Sequence, residues 1–251
     1  LAQYFGMVKC IDDNVGKILT AVRKAGLIDK TIILFTSDHG DMLGERGLWY
    51  KMSFYEGSAR VPLMVAAPGV QPGLVRTPAS SIDITPTLAD IAGIDLGEIE
   101  PWVDGESLLP IAAGAERKLP VRMEYAAEAS QAPLVSIREG RFKYNHCELD
   151  PPQLFDLEAD PHELNNLADD PAHAETAAAF AAKVRRFWDM KAYDDEVRES
   201  QARRHVVYEA LRAGQYRPWD FQPFKNASER FMRNHMDLNI LEASQRWPRG
   251  E

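Results

Sequence analysis

Along the first two dozen residues, Val8, Ile11, Val15, Ile18, Leu19 and Val22 recur on one face of a predicted helix that Gly26 stops. The pattern then changes. Thr31, Ile32, Ile33, Leu34 and Phe35 form a short apolar, β-branched run, which predicts a buried strand of a mostly parallel sheet. A long loop rich in Gly, Tyr, Phe and charge leads to a second predicted strand over 61–66. Helical spacing returns at Ile84, Leu88 and Ile91, with Asp83 or Thr85 as the cap candidates and Pro86 tolerable in the first turn. Residues 102–116 read as a turn and a short helix. Short strands are predicted over 121–125, 134–138 and 141–145, the last two joined by a hairpin turn at Glu139-Gly140. The Ala-rich stretch 172–208 is predicted helical, with Phe180, Val184, Phe187 and Trp188 on one apolar face. From 214 to 251, Pro, aromatic and charged residues mix without a long period, and such a segment needs another surface to lie against.

Composition narrows the partners more than the fold. With 251 residues, 45% of them hydrophobic, the chain can bury a sizeable core. A formal net charge of -9 argues against nucleic acid. Cys10 and Cys147 lie too far apart in sequence to read as a disulfide framework, and Cys10 within its helical pattern is expected as a small buried hydrophobe. The lack of a disulfide framework makes a cytoplasmic setting the expectation, and since no stretch reaches membrane-spanning length, no membrane partner is expected. The chain begins at Leu1 inside a helical pattern, which leads us to expect a missing N-terminal portion.

Ser37, Asp38, His39 and Gly40 follow the first strand directly. In open α/β sheets, ligand sites lie beyond the carboxyl ends of the strands, so this polar pair sits where chemistry is commonly done. Asp38 offers hard oxygen to a divalent cation, and His39 offers a neutral nitrogen to a metal or a donor to an oxyanion. Gly40 lets the backbone turn away. By spacing alone, Asp-His-Gly after a strand reads first as a capped turn.

The longer stretch SDHGDMLGERGLWYK, followed by SFYEGSARVPLMV, resembles the second metal-binding segment of the sulfatases, within the alkaline phosphatase superfamily. That resemblance implies an α/β fold: an alkaline phosphatase-like mixed sheet flanked by helices, with a smaller C-terminal α+β subdomain and an extended tail. It divides the chain at 1–116, 117–190 and 191–251. It makes Asp38 and His39 ligands of a divalent metal, Ca2+ with Mg2+ or Mn2+ as alternatives. It makes Lys51 the catalytic cation that binds the sulfate, a role suited to a compact ammonium on a flexible stem. The family's nucleophile is a cysteine oxidised to formylglycine within Cys-x-Pro-x-Arg, and neither cysteine here stands in that motif. The resemblance therefore covers the second half of such an enzyme, and the isolated chain is expected to be inactive. The run QLFDLEADPHELNNLADDP over 153–171 is a further signature, with its acidic residues read as turn and cap residues.

Within the family, the variant GERGLWYKMSFYEGSARVPL and a tail of the WDFQP…RNHxDL type resemble the choline sulfatases. That implies a small-molecule sulfate ester as partner, hydrolysis of choline sulfate to choline and sulfate, and a homo-oligomer assembled through the tail. Glu128 and Asp237 become the candidate carboxylates near the trimethylammonium group, with Glu124 as the fallback for Glu128. Arg46 stands where many sulfatases have His. The alternatives are a phosphonate or phosphate monoester hydrolase of the same superfamily, and a noncatalytic metal-binding or assembly module.

Overall fold

The computed structural model describes residues 1–68, 70–97, 102–127 and 130–214, and the chain divides into two compact units, Leu1–Asp194 and Asp195–Glu251. Helix α1 (Ala2–Lys24) forms where the helical spacing predicts it. Arg23 and Lys24 complement the negative end of its dipole, and Gly26 turns the chain at a φ of 68°. None of its residues is buried, however: Val15, Leu19 and Val22 are half-covered while Val8, Ile11 and Ile18 face outward. Cys10 is likewise exposed and not the buried hydrophobe expected, because nothing among the described residues covers its side of the helix.

Strand β1 (Ile33–Thr36) pairs with β4 (Leu63–Ala66), Ile33 opposite Ala66 and Thr36 opposite Leu63, and the pairing is antiparallel. The expected parallel neighbour is absent among the described residues. Parallel strands need a crossover connection, whereas the segment from Ser37 to Pro62 doubles back with only a two-residue ribbon and a four-residue helix. The ribbon joins β2 (Met42–Leu43) to β3 (Trp49–Tyr50), and α2 (Glu56–Ala59) follows it. Helix α3 (Ile84–Ala92) begins with a 3-10 turn, Ser81–Asp83, closed by a capping box between Ser80 and Asp83, and ends at the left-handed Gly93. The Asp83 carboxylate is fully buried and takes two bonds from Arg117 at 2.7 and 3.0 Å, tying the later α4 (Leu108–Ala112) region to this turn.

Residues Val121–Asp156 make a four-stranded antiparallel meander, β5 (Val121–Tyr125), β6 (Leu134–Glu139), β7 (Phe142–Cys147) and β8 (Asp150–Asp156). The hairpin turn sits at Gly140-Arg141, one residue later than expected, with Gly140 at a φ of 54°. Strand β8 has no counterpart among the predicted strands; it contains Pro151 and Pro152 and lies at the sheet edge, where proline is tolerated. Val135, Ile137, Tyr144 and Leu154 point to one face and pack on Phe180 and Val184 of α5 (Ala174–Phe187). The predicted single helix over 172–208 is two helices, because Trp188 adopts an extended conformation before α6 (Met190–Ala213). Among the described residues, no helix is long and apolar enough to cross a membrane.

The other face of the meander carries Ser136, Lys143, Asn145, Gln153 and Phe155, and it is covered too. Lys143 is completely inaccessible, and its ammonium lies 2.6 Å from the carbonyl oxygen of Phe54 and 2.9 Å from Glu56 Oε1. Gln153 exchanges contacts with the Tyr55 hydroxyl, and the Phe155 ring lies 6.1 Å from that of Tyr55. The loop after β3 is therefore mounted on the polar face of the small sheet.

Candidate active site

Asp38 and His39 emerge just past the carboxyl end of β1. The His39 Nδ1 atom is 2.7 Å from the carbonyl oxygen of Gly40, and since a carbonyl only accepts, Nδ1 carries the proton. In the neutral tautomer this leaves the lone pair on Nε2, which lies 3.5 Å from Asp38 Oδ2. An Nδ1–H bond to a backbone carbonyl that orients the ring is the support metal-ligating histidines commonly have, and Nε2 is then the nitrogen that could ligate. Asp38 is open to solvent, its side chain 82% exposed. The backbone N–H of His39, 3.0 Å from Oδ1, holds its carboxyl below the usual carboxylate range, with the Ser37 hydroxyl helping. The pair fits a divalent cation as one oxygen and one nitrogen donor. No cluster of three or more His, Cys, Asp or Glu side chains occurs among the described residues, and a calcium ion takes six to eight oxygen ligands.

Gly40 is required here for a reason other than a turn. A Cβ on it would lie 2.2 Å from the carbonyl oxygen of Gly57, and its N–H donates to Ser58 O at 2.7 Å. The Asp-His turn is thus pressed directly against α2.

Lys51 follows Tyr50, which sits at a φ of 68°, and its side chain is exposed. Its carbonyl oxygen accepts from the Ser58 hydroxyl at 2.6 Å and from the Ser53 N–H at 2.8 Å. The segments bearing Asp38, His39 and Lys51 are thereby brought together through Ser58. Arg46, at a φ of 56°, lays its guanidinium 4.3 Å from the centre of the Tyr55 ring.

Glu163 departs from its expected role as a turn or cap residue of the acidic signature. It is buried at a φ of 57°; its Oε2 accepts from the Glu56 N–H at 2.7 Å, satisfying a free donor at the start of α2. Its Oε1 lies 2.5 Å from the Lys143 ammonium, close enough for an ion pair although not aligned as a hydrogen bond. Asp156, Asp160 and Asp170 do act as turn and cap acceptors, for the N–H groups of Glu158, Asn165 and Ala172 respectively. Of the candidate substrate carboxylates, Glu128 and Asp237 lie outside the described residues. Glu124, the fallback, has one oxygen occupied by the Trp188 indole N–H at 2.6 Å.

Residues 1–94 match the family described as sulfatase, and residues 195–247 match the family described as choline sulfatase enzyme C terminal. The chain is 61% identical over 251 residues to a choline-sulfatase of Rhizobium meliloti (strain 1021), an alignment covering 99% of this chain and 49% of that protein. The chain belongs to the sulfatase family. It also matches arylsulfatase K of Rattus norvegicus, 38% identical over 66% of this chain and 31% of that one. Among solved structures, one holding its substrate D-glucosamine-2-N,6-O-disulfate aligns with a TM-score of 0.62 at 27% identity, over 76% of this chain and 40% of that one. The phosphonate monoester hydrolase of Agrobacterium radiobacter aligns with a TM-score of 0.56 at 32% identity, over 72% and 39%. These neighbours establish an alkaline phosphatase-like α/β fold, and the chain spans half or less of the length of the relatives it matches.

Proposed function

We propose that the whole protein hydrolyses sulfate esters, with choline sulfate as substrate and choline and sulfate as products. The observation that carries this reading is the 61% identity to the choline-sulfatase of Rhizobium meliloti, in an alignment that covers 99% of this chain. In this reading, Asp38 Oδ2 and His39 Nε2 hold a divalent cation, Ca2+ with Mg2+ or Mn2+ as alternatives. Such an ion supplies Lewis-acid polarisation of the sulfate oxygens when bound. Lys51 binds a sulfate oxygen and neutralises the charge that develops as the ester S–O bond breaks. Glu128 and Asp237 offset the trimethylammonium charge, and the segment 191–251 carries the contacts between subunits of a homo-oligomer. Two free cysteines suit a cytoplasmic setting.

The alignment with phosphonate monoester hydrolases supports a second reading, in which a phosphorus ester takes the place of sulfate. Assaying the whole protein side by side on choline sulfate and a phosphonate monoester decides between them. The sulfatase reading expects a higher kcat/KM on choline sulfate, and a loss of about 10²–10³-fold in Lys51→Ala. A preference for the phosphonate ester contradicts the substrate, and a Lys51→Ala rate within about twofold of the parent removes Lys51 from the chemistry.

A further inference from the structure

Ser58 is 2% exposed, and two of its groups reach two different parts of the site. Its carbonyl oxygen accepts the Gly40 N–H at 2.7 Å, next to His39, and its hydroxyl donates to Lys51 O at 2.6 Å. The first contact exists only because Gly40 carries no side chain, since a Cβ there would lie 2.2 Å from the carbonyl oxygen of Gly57. The second fixes the carbonyl of Lys51, the residue after Tyr50, whose left-handed backbone stays put only when its surroundings hold it.

The helix that presents Ser58 is one turn long and has no side-chain cap of its own. It is held from below. Lys143 reaches out of β7 to the Phe54 carbonyl and Glu56, while Glu163 takes the Glu56 N–H and contacts the same ammonium. Two side chains, Lys143 of the small sheet and Glu163 of the acidic signature, thus fix Phe54 and Glu56, and Ser58 passes that placement on to both functional segments. We propose that Ser58 is the positioning residue that sets Lys51 against the Asp38–His39 turn, with Lys143 as its anchor in the small sheet. The chemical consequence rests on the sulfatase reading of Lys51; the positioning does not.

Two measurements on the whole protein test this. In Ser58→Ala, which removes the hydroxyl and adds no atom, amide hydrogen exchange is expected to speed up at Ser53 and its neighbours, with β6 and β7 as protected as in the parent. In turnover of choline sulfate, Ser58→Ala is expected to lose about tenfold in kcat/KM, the effect of a displaced reacting group more than of one lost bond. Introduced into Lys51→Ala, the same substitution should cost nothing further, since the residue it positions is gone. Unchanged exchange at Ser53 overturns the proposal. So does a second tenfold loss in the Lys51→Ala background, which would show that Ser58 acts elsewhere. If Lys51→Ala alone leaves turnover intact, it is the sulfatase role of Lys51 that fails, and the exchange result still decides whether Ser58 positions the segment.

Discussion

The two faces of the four-stranded meander are both covered, by different chemistry. One presents Val135, Ile137, Tyr144 and Leu154 to Phe180 and Val184 of α5. The other presents Lys143, Gln153 and Phe155 to the loop that bears Lys51. Apolar burial is nondirectional and tolerates small shifts, so the first face contributes stability. Hydrogen bonds and ion pairs fix distance and angle, so the second face contributes placement. The meander is thus packed against a helix on one face and carries the loop of the candidate active site on the other.

This contrast can be broken from either side. Phe180→Ala empties a buried ring from the apolar face and should cost about 3–5 kcal/mol in denaturant unfolding. Lys51 should stay in register up to the unfolding transition, so residual turnover per folded molecule should match the parent. Lys143→Ala leaves the buried Glu163 and the half-buried Glu56 without their cation. Its stability loss should approach that of Phe180→Ala, about 3–5 kcal/mol, but with turnover falling in the molecules still folded. A Lys143→Ala protein that is destabilised yet fully active per folded molecule would erase the distinction between the faces.

A smaller effect sharpens the picture at the sheet edge. The Arg141 guanidinium bonds Asp156 at 2.7 Å through Nε, and above all this partner holds the Asp156 carboxyl below its ordinary value of 3.8. The folded value is depressed, so the stabilisation is present above the unfolded value and is lost as pH falls through the folded one. Asp156→Asn should therefore cost about 1–3 kcal/mol at neutral pH, and its unfolding curve should converge on that of the parent in strong acid. A difference that stays constant down to acid pH would mean that the carboxylate charge is not what matters.

Much of this architecture was legible in the residue pattern, and the exceptions have physical causes. Helical spacing placed α1, α3 and α5, because a face that repeats every third and fourth residue has one solution. It could not say whether anything covers the face, and α1 has no buried residue. The motif around Asp38 and Lys51 located those residues, but not the serine that joins their segments, since Ser58 acts through one carbonyl and one hydroxyl. Strand alternation put Lys143 opposite the apolar positions Phe142 and Tyr144, which ordinarily means solvent. Here that side meets a loop distant in sequence, a long-range contact that no local pattern encodes. Glu163 was hidden for the same reason, inside a run in which Asp156, Asp160 and Asp170 do serve as turn acceptors.

The central claim is that the Asp38–His39 turn is half of a metal site, and metal content tests it most directly. The whole protein and its Asp38→Asn variant would be purified identically and their bound divalent metal measured per polypeptide. The variant removes a carboxylate charge from an exposed position and leaves the His39 orientation intact, so both proteins should fold alike. The account predicts a bound ion in the parent and its substantial loss in Asp38→Asn. Equal metal content in the two would contradict it.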